Sequence, residues 1–96
     1  MQITDFTVEK IIDPTGILAG NRYEFFFYLA LNEEDELNEF NNLKLRALFF
    51  VNEDENKLLS TYFLSNEEIL DFELEEEEEK EILAFCQANY LQADEN

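Results

Sequence analysis

Tyr23-Glu24-Phe25-Phe26-Phe27-Tyr28-Leu29-Ala30-Leu31 is the stretch that decides the fold: nine residues with a single charge and five aromatic rings. Taken at a period of two, Tyr23, Phe25, Phe27, Leu29 and Leu31 share one face, and Glu24, Phe26, Tyr28 and Ala30 share the other. Both faces are largely apolar, which predicts a central strand that must be covered twice. A helix of the chain's own supplies one cover; the sequence supplies no clear second.

Working outward, residues 3–12 set Phe6, Val8 and Ile12 against Thr7, Glu9 and Ile11 and read as a first strand. Asp13-Pro14-Thr15-Gly16 places Pro where φ is preset and Gly where a turn closes, so it reads as a turn rather than as a fragment of an aspartyl active site. Ile17-Leu18-Ala19 is a short apolar link, and Gly20-Asn21 is a second turn signal before the central strand. Beyond that strand, residues 32–42 are acidic and amide-rich and read as a loop pinned by Leu37 and Phe40.

Leu43, Leu45, Ala47, Phe49 and Val51 then alternate with Lys44, Arg46, Leu48 and Phe50 as a third strand. Lys44 and Arg46 are expected to face out beside Glu24 as cross-strand ion pairs. After the polar connector Asn52 to Asn56, residues 57–64 form a fourth strand through Leu58, Ser60, Tyr62 and Leu64. Residues 65–74 are ambiguous. Ser65-Asn66-Glu67-Glu68 has the form of a helix capping box, whereas Leu70, Phe72 and Leu74 alternate like a strand, so one helical turn followed by a short edge strand is expected. A final helix begins near Glu76 and turns Ile82, Phe85, Cys86, Asn89 and Tyr90, with Leu83 and Leu91 beside them, toward the sheet. The expected architecture is α+β: an antiparallel meander of four to five strands with one C-terminal helix on one face, residues 1–96 forming a single small acidic domain.

Composition bounds the chemistry. Hydrophobic residues make up 46% of the 96 and aromatic residues 15%, too apolar for a disordered acidic tail. Twenty-four acidic against six basic residues give a net charge of -18, which argues against nucleic acid and anionic membranes as direct partners. The first residues lack the basic and apolar regions of a signal peptide, no segment reaches transmembrane length, and Cys86 has no second cysteine to pair with. These features predict a cytoplasmic protein.

Catalytic, cofactor-binding and metal-ligating residues are not identified, and no cofactor is expected. Histidine is absent, which removes the commonest general base near neutrality. Cys86 falls mid-helix on the apolar stripe, with glutamates upstream that would raise its pKa, and reads as core. Asn52, Asp54 and Asn56 match the first oxygen positions of a calcium loop, but Lys57 stands where glycine belongs and Phe63 where the last glutamate belongs. Weak association of divalent cations with the acidic segments is the only metal behaviour expected.

Asp13-Pro14-Thr15-Gly16-Ile17-Leu18, Arg22-Tyr23-Glu24-Phe25, Leu70-Asp71-Phe72 and Ala84-Phe85-Cys86 resemble a family of small acidic bacterial proteins of unknown function. Some members of that family are labelled pullulanase, an activity that needs a barrel of ~250 residues or more and that this chain does not support. The resemblance implies a cytoplasmic bacterial protein and brings no catalytic residues.

The functional expectation is a non-enzymatic protein-interaction or regulatory module. Phe26, Tyr28, Leu48 and Phe50 lie together opposite the helix side as the candidate surface for a partner or for self-association into a dimer. One alternative is that Glu75, Glu76, Glu77, Glu78 and Glu79 imitate nucleic acid and occupy a basic cleft, since helical glutamates place one charge per ~1.5 Å against ~1.7 Å for duplex DNA. Another is a carboxylate-based hydrolase, for which no acid pair stands out among so many.

Overall fold

The computed structural model describes residues 2–16, 20–30 and 42–95. They form β1 (Gln2–Ile11), β2 (Asn21–Ala30), β3 (Leu43–Val51), β4 (Asn56–Ser65), β5 (Glu68–Ile69) and α1 (Glu76–Asn89), and a 3-10 helix (Tyr90–Glu95) follows. The strands make one antiparallel sheet in the order β1-β2-β3-β4-β5, with α1 across one face, as the patterning predicts. Leu31, the Ile17-Leu18-Ala19 link and the Leu37 and Phe40 anchors lie outside the described residues.

β2 is an interior strand rather than the middle one. Tyr23, Phe25 and Phe27 point to the helix side, where Lys10, Val8 and Phe6 oppose them on β1 and Phe49, Ala47 and Leu45 on β3. Phe25, Phe27, Leu45, Ala47, Phe49, Ile82 and Cys86 are fully buried in the resulting core. Two side chains tie the helix down. Phe85 sits edge-on to Phe6 and Phe27, with ring centroids 4.9 and 5.3 Å away. Tyr90 meets Tyr23 at 5.2 Å and Phe49 at 5.5 Å. Leu91, expected on this stripe, is 58% exposed instead, because the chain has tightened into the 3-10 helix and no longer follows a period of 3.6.

Three further expectations change. Ile12 lies beyond the end of β1 and is 70% exposed rather than sharing a face with Phe6 and Val8. Asn66 and Glu67 do not begin a helical turn: both have positive φ, 51° and 71°, and join β4 to β5 as a two-residue hairpin in which Ser65 opposes Glu68. Residues 70–74 are not strand. After Leu70 N–H donates to the Phe63 carbonyl, the chain leaves the ladder, yet Leu70, Phe72 and Leu74 still tuck against the core while Asp71 and Glu73 stay exposed. A period of two records which side is buried; it does not require a hydrogen-bonded neighbour.

The Asp13 turn forms as read, with Gly16 N–H donating to the Asp13 carbonyl and the Thr15 amide and hydroxyl donating to Asp13 Oδ1.

Candidate functional site

Among the described residues the face of the sheet away from α1 carries no helix, and its rows are set by register. Arg22 on β2 lies opposite Phe50 on β3, which lies opposite Lys57 on β4. Glu24 precedes Leu48 and Ser60, Phe26 precedes Arg46 and Tyr62, and Tyr28 precedes Lys44 and Leu64. Cations therefore alternate with aromatic rings across three strands.

Each of those cations lies over a ring. The Arg22 guanidinium is 5.2 Å from the Phe50 centroid, with the Lys57 ammonium 5.7 Å from the same ring. Lys44 stands 5.4 Å from Phe26, and Arg46 stands 5.2 Å from Tyr62. Such contacts are worth ~0.5–1 kcal/mol at exposed sites and more as water is excluded. Arg46 is the most engaged: its Nε and Nη2 reach Glu24 Oε2 at 2.8 and 2.6 Å, and Nη1 donates to the Tyr62 hydroxyl. That forked, planar arrangement is one a lysine could not make.

Phe26, Tyr28, Leu48 and Phe50, the residues singled out from the sequence, do share this face on adjacent strands. They are not equally open. Phe50 is only 8% exposed, covered by Arg22 and Lys57 and approached from the turn by Gly20, where a Cβ would fall 2.6 Å from Phe50 Cε2. Tyr28 is 41% exposed. Long basic side chains thus lay their charged ends over the rings and cover them.

Lys44 does not join Arg46 at Glu24. Its ammonium bonds Glu67 Oε1 at 2.6 Å, and that hydrogen bond raises its pKa against a smaller opposing effect of desolvation. The positive φ of Asn66 and Glu67 brings the carboxylate round to it, a turn geometry that alternation cannot reveal. Sequence reasoning also missed Arg22, Lys57 and Tyr62 as parts of this layer. Arg22 shares its parity with Phe26 and was legible. Lys57 was not, because a bulge at Leu59 shifts the register of β4: Leu58 pairs with Phe49 on the helix side, while Ser60, Tyr62 and Leu64 stay on the open one.

The family model described as "Family of unknown function (DUF6509)" matches residues 1–93. The chain belongs to this family. Comparison with curated proteins finds no match, and neither does comparison with solved structures. The family assigns no activity, so the chemistry of this DUF6509 domain rests on its own side chains.

Glu75 to Glu79 lie at the amino end of α1, where the helix dipole favours them. They do not act alike: Glu78 folds back so that its Oε1 accepts from the Glu75 amide at 2.9 Å, whereas Glu76, 3.8 Å from Lys80, and Glu77 and Glu79 all stay exposed. Asn52 Oδ1 is consumed by the β3–β4 hairpin, accepting from the amides of Asp54 and Glu55. Among the described residues no group of three or more cysteine or carboxylate side chains is placed to hold a metal ion, and no helix is long and apolar enough to cross a membrane. Cys86 is buried, and burial, not the upstream glutamates, pushes its thiol up to about 12.

Proposed function

We propose that this protein is a non-enzymatic interaction module that meets a protein partner through the open face of its sheet. The supporting observation is the distribution of charge. Four of the six basic residues, Arg22, Lys44, Arg46 and Lys57, lie on that face, against five acids among the described residues: Asp5, Glu9 and Glu24 on the strands, and Glu67 and Glu55, which pair with Lys44 and Lys57. A near-neutral, ring-rich surface in a chain of net charge -18 is one where docking does not first meet a wall of carboxylates. Arg and Tyr are also the side chains that most often anchor protein interfaces. The cations already shield the rings, so the free domain stays soluble, and reversible association suits it better than obligate pairing.

A photo-crosslinking residue placed at Tyr28 and, separately, at Glu77 tests this in living cells. The expected result is discrete crosslinked products from position 28 and none from position 77. Products from position 77 alone would move the function to the acidic helix, as nucleic-acid mimicry requires. No product from position 28 would overturn the reading.

A further inference from the structure

A cleft of about 720 Å³ opens on the other side of the sheet, where the carboxyl end of α1 meets the β3–β4 hairpin. We propose that it binds an organic cation, an amine carried on an aromatic or aliphatic body. Its volume falls within the ~300–1,000 Å³ of small-molecule sites. The apolar side is made by Tyr23, Val51, Tyr90 and Leu91. Tyr23 is only 2% exposed and backs Tyr90, whose half-buried ring, tilted 60° to it, is the one that faces the cleft. Leu91, 58% exposed, is a large apolar side chain held open to solvent at the rim, which an apolar ligand body would cover.

The sign of the ligand follows from the charges around the cleft. Glu53 and Asp54 stand on the hairpin wall, and Lys10 is the one cation among the lining residues. A cation placed near the Tyr90 ring also gains from its π face. The net charge of -18 concentrates cations around the whole molecule, and at this cleft that field coincides with a hollow lined by Tyr90 and apolar side chains. The hairpin wall is held by Asn52, through its bonds to the Asp54 and Glu55 amides, and not by the Glu53 or Asp54 carboxylates, so these can be neutralised without dismantling it.

The test is an NMR titration of the full chain with phenethylamine, with phenethyl alcohol as the uncharged counterpart. The amine is expected to give saturable amide shifts centred on Asn21, Asp54, Tyr90 and Leu91, and the alcohol none that saturate. The double change Glu53→Gln with Asp54→Asn should weaken amine binding by roughly tenfold while the rest of the spectrum is preserved, and Lys10→Ala should strengthen it. Shifts that grow without saturation and extend equally to Glu76 through Glu79 would mean diffuse counterion accumulation and overturn the site. Equal binding of the alcohol, or indifference to the double change, would overturn it as well.

Discussion

Cys86 is fully buried, and the consequence appears in alkali. The free thiol ionises near 9.0, whereas burial holds the folded one protonated to about 12. Between those values the folded state binds the extra proton, so the contribution is fully present below pH 9.0 and is lost as pH rises through the window. Lys44, raised by its bond to Glu67, acts in the same direction above its ordinary 10.5. Urea denaturation of the native chain and of Cys86→Ala from about pH 8 to pH 11 separates the two, because Lys44 and the tyrosines are common to both. The variant should be less stable at the lower pH by about 1–2 kcal/mol, and its stability should fall less on the way up by on the order of 2–3 kcal/mol. Parallel curves would show that the thiol is hydrated after all.

Among the elements, α1 is held by its rings more than by its own sequence. It begins without a serine, threonine or aspartate cap, and its first turn is stabilised by Glu78 bonding the Glu75 amide. Phe85→Ala, which removes the edge-on contacts to Phe6 and Phe27, should cost about 3 kcal/mol in denaturant melts. Glu78→Ala should cost about 0.5–1 kcal/mol, against less than about 0.5 for Glu77→Ala, whose carboxylate is exposed. A helix whose loss costs the same at all three positions would not be docked as described.

This hierarchy also explains what could be read in advance. Alternation in β2 and β3 is uninterrupted, so their faces, their register and the open patch of Phe26, Tyr28, Leu48 and Phe50 followed from counting. The count fails in β4 at the Leu59 bulge, which sends Leu58 to the helix side and brings Lys57 onto Phe50. It fails again at Asn66-Glu67, where two consecutive residues with positive φ stand in for the glycine a hairpin turn usually announces. The cation–aromatic layer was therefore legible in β2 and β3, while its third strand required the backbone.

At the scale of the whole molecule, separation of charge sets the response to salt. The open face holds four of the six basic residues, so most of the described carboxylates crowd one another elsewhere, with Lys10 and Lys80 as the only other bases. Two carboxylates ~6 Å apart repel by roughly 0.7 kcal/mol in water before screening, and the screening length falls from ~30 Å at 0.01 M salt to ~3 Å at 1 M. Against this, salt weakens attractions such as Glu67 with Lys44, Glu24 with Arg46, Glu55 with Lys57 and Glu76 with Lys80. Five of the eight partners, Glu67, Lys57, Glu55, Lys80 and Glu76, are more than half exposed, and exposed pairs are worth a median of only ~0–1 kcal/mol. The repulsions are more numerous and reach farther, so they decide the sign: thermal stability should climb as sodium chloride is raised from about 0.02 to about 0.5 M. Replacing Glu76, Glu77 and Glu79 together by Gln should raise the melting temperature at low salt and flatten the climb, since it removes three charges from the crowded helix start and leaves the Glu78 bond to the Glu75 amide intact. A melting temperature that is flat or falling over that range would mean that the cation layer on the open face, and not the acidic remainder, dominates the electrostatics of the fold.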